Sequence, residues 1–107
     1  MENKQSELLL EEILIRKGAM VLRAVNHKLR QKMMHLIHEG GRMTVTSIYT
    51  ALRIEQSVAS QHLAILRRQN LLITEREGKY IFYSVNYQRL KELHQLAEKL
   101  IAAQENE

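Results

Sequence analysis

The sequence predicts a mainly helical α+β domain of about five helices and one two-stranded β-hairpin, and three observations carry that expectation. Apolar residues recur at helical spacing in separate stretches along the chain. Leu71 to Val85 reads as two β-prone runs around a charged turn that contains Gly78. No proline occurs among the 107 residues, so helices must stop at glycines and capping residues.

Taken in order, residues 6–25 are expected to form a first helix, with Ser6 as N-cap and Leu10, Ile13, Leu14, Met20, Val21 and Ala24 on its apolar side. Asn26 is the expected cap of a second helix running to His38, where Leu29, Met33, Leu36 and Ile37 pack inward and Gly40-Gly41 ends it. A short β-prone run follows from Arg42 to Val45. Thr46 then caps a third helix through Leu52, packed by Ile48, Tyr49 and Leu52. Residues 46–69 form a helix pair and residues 71–85 the hairpin. Residues 87–104 form a last helix whose apolar stripe is Leu90, Leu93, Ala97, Leu100 and Ile101, widened by Leu96. One domain, 1–107, accounts for the whole chain.

The helix from Gln56 to Arg68 is divided in a way that says what it is for. Ala59, Leu63 and Leu66 make a narrow apolar seam, while Ser57, Ser60, Gln61 and Ala64 make an opposite face of short, mostly uncharged groups. An ordinary solvated face carries Lys and Glu. A helix entering a DNA major groove instead needs short hydrogen-bonding side chains that reach base edges, with cations held for the phosphates. Arg67 and Arg68 end the helix with such cations, and Arg76 and Lys79 place two more at the hairpin tip. A helix pair followed by a hairpin of this kind is a winged helix-turn-helix.

These residues resemble the ArsR/SmtB family of small bacterial repressors. The resemblance is carried by Gln56-Ser57-x-x-Ser60-Gln61-His62-Leu63, by Leu66, by Asn70-Leu71-Leu72, and by Gly78 with Tyr83 beyond it, over roughly Val21 to Val85. It implies that Gln56, Ser57, Ser60, Gln61 and His62 lie at the DNA. His62 has two readings, a donor to phosphate at the groove edge or a half-buried packing residue beside Leu63. Three departures from the family's pattern stand out. Glu55 stands where serine usually opens the recognition helix, Val58 and Ala59 exchange the common order, and Arg53 takes a turn position often held by glycine.

Composition narrows the function further. The net charge of +4 comes from 16 Lys and Arg against 12 acidic residues, and its placement matters more than its sum. Between Arg16 and Arg42, seven cations face Glu39 alone, which suits a central body near phosphates. The absence of cysteine removes disulfides, thiolate metal sites and thiol redox sensing. By the resemblance, a metal site on the third helix falls on Val45 and Ser47, and one on the last helix on Asn86, Gln88, Lys99 and Ala102, none of them a suitable ligand set. His35 and His38 stand three apart on one helix without a nameable third ligand, and His94 stands alone, so no metal and no cofactor are expected. No phosphate loop, nucleophile with its base, or carboxylate pair points to an enzyme. The lack of a membrane-length apolar run or a secretion pattern at the start makes the expected place the cytoplasm.

Leu10, Ile13 and Leu14 on the first helix and Leu90, Leu93, Leu96, Leu100 and Ile101 on the last exceed what so small a core can cover. The terminal helices are therefore expected to pair in a homodimer. The main reading is a homodimeric transcriptional repressor on a palindromic double-stranded DNA operator. Glu55 and the moderate charge leave a second reading open, a winged-helix module that binds protein without specific DNA binding.

Overall fold

The computed structural model describes the backbone of residues 4–105 and the side chains of residues 11–102. The elements follow in the order α1 (Lys4–Val25), α2 (Lys28–Gly40), β1 (Met43–Thr44), α3 (Val45–Leu52), α4 (Gln56–Arg68), β2 (Leu72–Glu77), β3 (Tyr80–Val85) and α5 (Tyr87–Glu105). This is the winged helix-turn-helix fold. The β-structure is larger than the hairpin expected from sequence, because the run after α2 adds a third strand. The antiparallel order is β1-β3-β2, with Met43 opposite Tyr83 and Thr44 opposite Phe82.

One core holds α2, α3, α4 and the base of the sheet together. Met33, Ile37, Ile48, Leu63, Leu66 and Leu71 are fully buried, and Val21 and Ala24 bring the end of α1 into the same cluster. Leu90 and Leu93 pack against its edge from α5. Met34 is also buried, although a strict face of Met33 and Ile37 omitted it. Burying side chains of this size contributes about 1.5–3 kcal/mol each, which is where most of the fold's stability must lie.

The helix starts correct the sequence reading in three places, each for a local physical reason. α1 is already helical at Lys4, so Ser6 lies inside it rather than capping it. Asn26 still donates its N–H to Leu22 in the last turn of α1. The cap of α2 is therefore His27, whose extended backbone (φ −153°, ψ 123°) lets its Nδ1 accept from the Leu29 N–H at 3.2 Å. Thr44, not Thr46, caps α3: pairing with β3 holds Thr44 extended, and its Oγ1 accepts from the Ser47 N–H at 3.2 Å.

Both ends of the helix-turn-helix close by the same device. Arg53 accepts a left-handed φ of 56°, its N–H bonds Thr50 and the next N–H, of Ile54, bonds Tyr49. Asn70 repeats this after α4 at φ 61°, with Leu71 donating to Leu66. The buried Leu66 and Leu71 add the apolar contact that usually accompanies such a closure. The chain thus leaves α4 at a fixed angle and enters β2 directly.

Candidate nucleic-acid interface

α4 packs by Ala59, Leu63 and Leu66, all with no exposed surface, and this fixes the helix's rotation about its own axis. Ser57, Ser60, Gln61 and Ala64 are consequently exposed, as are Gln56, Arg67 and Arg68. The face read from sequence as short and mostly uncharged is a continuous exposed strip. At its start Glu55 stands at the N-cap position without a side-chain capping bond. The first N–H groups of α4 therefore have no side-chain cap, and a carboxylate sits near the positive end of the helix dipole.

Beside this strip stands the wing. β2 and β3 pair from Leu72–Val85 to Glu77–Tyr80, so Arg76 shares a sheet face with Leu72, Thr74, Ile81, Tyr83 and Val85. Leu72 and Val85 anchor that face in the core, and Arg76 continues it to the tip. Gly78 turns the chain at φ 58°, a left-handed value that glycine adopts without a Cβ penalty. Lys79 is exposed beside it, with its ammonium 5.4 Å from the Tyr80 ring centre.

The opposite wing face carries Glu75 and Glu77, whose charge faces Arg42. That guanidinium lies 2.9 Å from Glu77, 3.9 Å from Glu75 and 3.9 Å over the Phe82 ring. Arg42 thus braces the wing and offsets its acids. Sequence reasoning counted it as one of a run of cations, and only the β1–β3 pairing brings it to the hairpin.

His62 is half-buried on the flank of α4, against the start of α2. Its Nδ1 accepts from the Arg30 Nε at 3.1 Å, and its ring lies 4.8 Å from that of His27. Arg30 also donates to the carbonyls of Arg23 and Ala24 at the end of α1. Burial, and then the charges of His27 and Arg30, hold the His62 imidazole below its usual range. The accepting Nδ1 assigns the neutral ring's proton to Nε2.

The residues expected at a dimer contact divide in two. Ile13, Leu14, Leu96, Leu100 and Ile101 are exposed, between 41% and 66%. Leu90 and Leu93 are half-buried, since they also pack against the edge of the chain's own core. The Leu10 side chain lies outside the described residues. Ile15 and Met20 add to the exposed apolar surface of α1, so Met20 does not pack inward as expected. On the metal side, His38 is hydrogen-bonded at 2.7 Å to the Tyr87 hydroxyl, and no group of three metal-ligating side chains occurs among the described residues.

A core-fixed helix exposing small polar groups beside a wing that carries Arg76 and Lys79 is the arrangement of a winged-helix DNA-binding domain, and the proteins this chain resembles are transcriptional regulators. The profile of the family described as bacterial regulatory protein, arsR family, matches residues 27–74. An uncharacterised HTH-type transcriptional regulator of Methanocaldococcus jannaschii is 31% identical over 84 residues, covering 78% of this chain and 94% of that one. The chain belongs to the arsR family. The transcriptional repressor PagR of Bacillus anthracis is 31% identical over 77 residues, covering 72% of this chain and 77% of its own. Its crystal structure superposes with a TM-score of 0.66 at 28% identity, over 80% of this chain and 98% of that one. The transcriptional activator HlyU of Vibrio cholerae is 29% identical over 84 residues, covering 78% of this chain and 77% of its own.

Proposed function

We propose that the protein acts as a homodimeric repressor that binds a palindromic operator through α4 and the wing. The observation that carries this is the α4 strip, Ser57, Ser60, Gln61 and Ala64, held outward by a completely buried seam and flanked by Arg67, Arg68, Arg76 and Lys79. Gln61 is the base-reading side chain, since an amide can pair bidentately with adenine. Gln56, Ser57 and Ser60 contact base edges or phosphates, and the four cations hold the backbone.

Dimerisation follows from the apolar surface left on α1 and α5. The radius of gyration is 17.0 Å, against about 13 Å for a compact domain of this length. A second copy covering Ile13, Leu14, Leu96, Leu100 and Ile101 removes that surface from water. Two recognition helices related by a two-fold axis then enter successive major grooves, about 34–36 Å apart, with the wings toward the flanking minor grooves. An operator occupied in this way blocks a promoter that overlaps it. PagR is named a repressor and supports this direction of control. Among the described residues no helix is long and apolar enough to cross a membrane, which fits action in the cytoplasm.

Selecting bound sequences from a random duplex pool tests the reading. A palindromic consensus with half-sites one helical turn apart is expected, together with steep loss of binding as salt rises. Binding that is absent, or present without any sequence preference, rejects it.

A further inference from the structure

We propose that the cleft between the α1–α2 hinge and the flank of α4 seats one DNA backbone phosphate per protomer, with Arg23, Arg30 and Arg68 as its cationic wall. This rests on the DNA-binding reading above and extends the contact surface beyond α4 and the wing. The three arginines come from three helices and line one hollow of about 320 Å3, with Met20, Ala24, Ile65 and Gln69 completing it. Among the described residues no carboxylate lines this hollow.

The ion pairs among the described residues run elsewhere. Glu12 meets Arg16, Glu75 and Glu77 meet Arg42, Glu92 meets Arg89, and Glu98 meets His94. Arg30 is held by neutral acceptors only, the His62 ring and the carbonyls of Arg23 and Ala24. Arg30 lies in the first turn of α2, which carries no acidic residue to offset it. Three arginines that share one hollow, with no counter-charge among the described residues, favour an anion from outside.

The geometry of groove insertion supplies that anion. A helix with side chains is about 10–12 Å across and the major groove about 12 Å wide, so phosphates press on both flanks of an inserted helix. On α4, Arg68 continues the stripe of Gln61 and Ala64, while Ile65 and Gln69 lie one step around toward α1 and α2. The arginine-lined hollow therefore borders the strip that faces the groove. Arg23 sits on α1, so the seat would tie the dimerisation helix to the DNA backbone as well as to α4.

The test measures duplex binding for the intact protein and for Arg68→Gln, Arg23→Gln and the double variant, between about 50 and about 200 mM salt. Arg23 and Arg68 are exposed, so both substitutions leave the core untouched. The double variant is expected to shrink the salt-induced loss of affinity about tenfold, as for two fewer phosphates per dimer, with base preference unchanged. Arg23→Gln alone must account for a measurable part. The proposal is overturned if Arg23→Gln matches the intact protein at every salt concentration, or if inorganic phosphate perturbs the His62 ring resonances while the salt slope of the double variant stays unchanged. If the intact protein binds no duplex at all, it is the regulator reading that fails.

Discussion

The segment from His27 to Val85 and the two terminal helices contain similar apolar side chains, yet they cover them to different degrees. In the central segment Met33, Ile37, Ile48, Leu63, Leu66 and Leu71 are completely buried, and both ends of the helix-turn-helix are closed by paired backbone hydrogen bonds. On α1 and α5, Leu14, Ile15, Leu100 and Ile101 are each more than half exposed. The first region has a closed core and exposes large apolar side chains only on the wing, at Ile73, Tyr80 and Ile81. On the homodimer reading proposed above, a second copy covers the other, and the two regions divide the labour: one presents a reading helix at a fixed angle, the other sets the distance between two such helices.

The largest effect should come from the terminal helices. Leu100→Glu with Ile101→Glu on α5 is expected to give monomers at micromolar concentration, and operator affinity should fall at least a hundredfold. Each side chain removed from a two-fold interface is lost twice, at about 1.5–3 kcal/mol per buried aliphatic group. Sedimentation velocity and circular dichroism check this together, because helix content should stay while mass halves. An unmodified protein that sediments as a monomer breaks the comparison at its root. Leu93 is a poorer place for the same experiment, since it also packs against the chain's own core.

Within the central segment the sharper question is which exposed groups read bases. Gln61→Ala should cost about 1–3 kcal/mol at one base pair per half-site and relax preference there. Lys79→Ala should weaken all duplexes alike and lower the salt slope. Binding to a panel of single-base operator variants separates the two. Equal losses on every duplex for both variants would show that the α4 strip positions the protein without reading sequence.

A smaller change tests the start of α4. Glu55→Ser supplies the missing cap, worth about 1 kcal/mol, but gives up a carboxylate at the helix's positive end, worth about 0.3–1 kcal/mol, so stability should rise by a few tenths of a kcal/mol only. Operator affinity should rise as well, because on the proposed reading Glu55 repels the phosphates beside the first turn of α4. Urea titration at one fixed protein concentration reads the first effect, and a gel shift the second. Unchanged values in both would mean that the N-terminal turn is satisfied by water and lies away from DNA.

How much of this was legible in the sequence depends on how far apart the cooperating residues lie. The α4 seam and its opposite face follow from spacing within thirteen residues, and the Gly78 turn from its immediate neighbours. Caps were displaced by one or two positions, because Asn26 and His27, or Thr44 and Thr46, offer equivalent side chains and the backbone chooses between them. At α3 the choice is made by β1 pairing with a strand nearly forty residues later. Arg30 and His62 are separated by 32 residues. Nothing local marks either as a partner, so the cluster that ties the hinge to α4 had no sequence signal. The exposure of α5 was readable only as a surplus, since helical periodicity cannot say which part of a long stripe its own core will reach.

The contact between the two regions gives the smallest and most specific prediction. His62 on α4 is linked through Arg30 to the end of α1, and its imidazole is held below the usual range by burial and then by the charges of His27 and Arg30. A folded-state value below the unfolded one means that the unfolded chain takes up the proton first as pH falls. Above about 7 both states are neutral and the group contributes no pH dependence; below about 6.5 stability is lost progressively, until the folded ring also protonates. Protonation places a proton on the Nδ1 that accepts from Arg30, so the same titration breaks the link between hinge and reading helix. His62→Gln keeps an acceptor for Arg30 and does not titrate. Urea unfolding between about pH 5 and about pH 8, at fixed protein concentration, should therefore show a shallower decline toward acid for His62→Gln than for the unmodified protein. Parallel curves would mean that His62 senses neither Arg30 nor its burial, and that the two regions are joined by apolar packing alone.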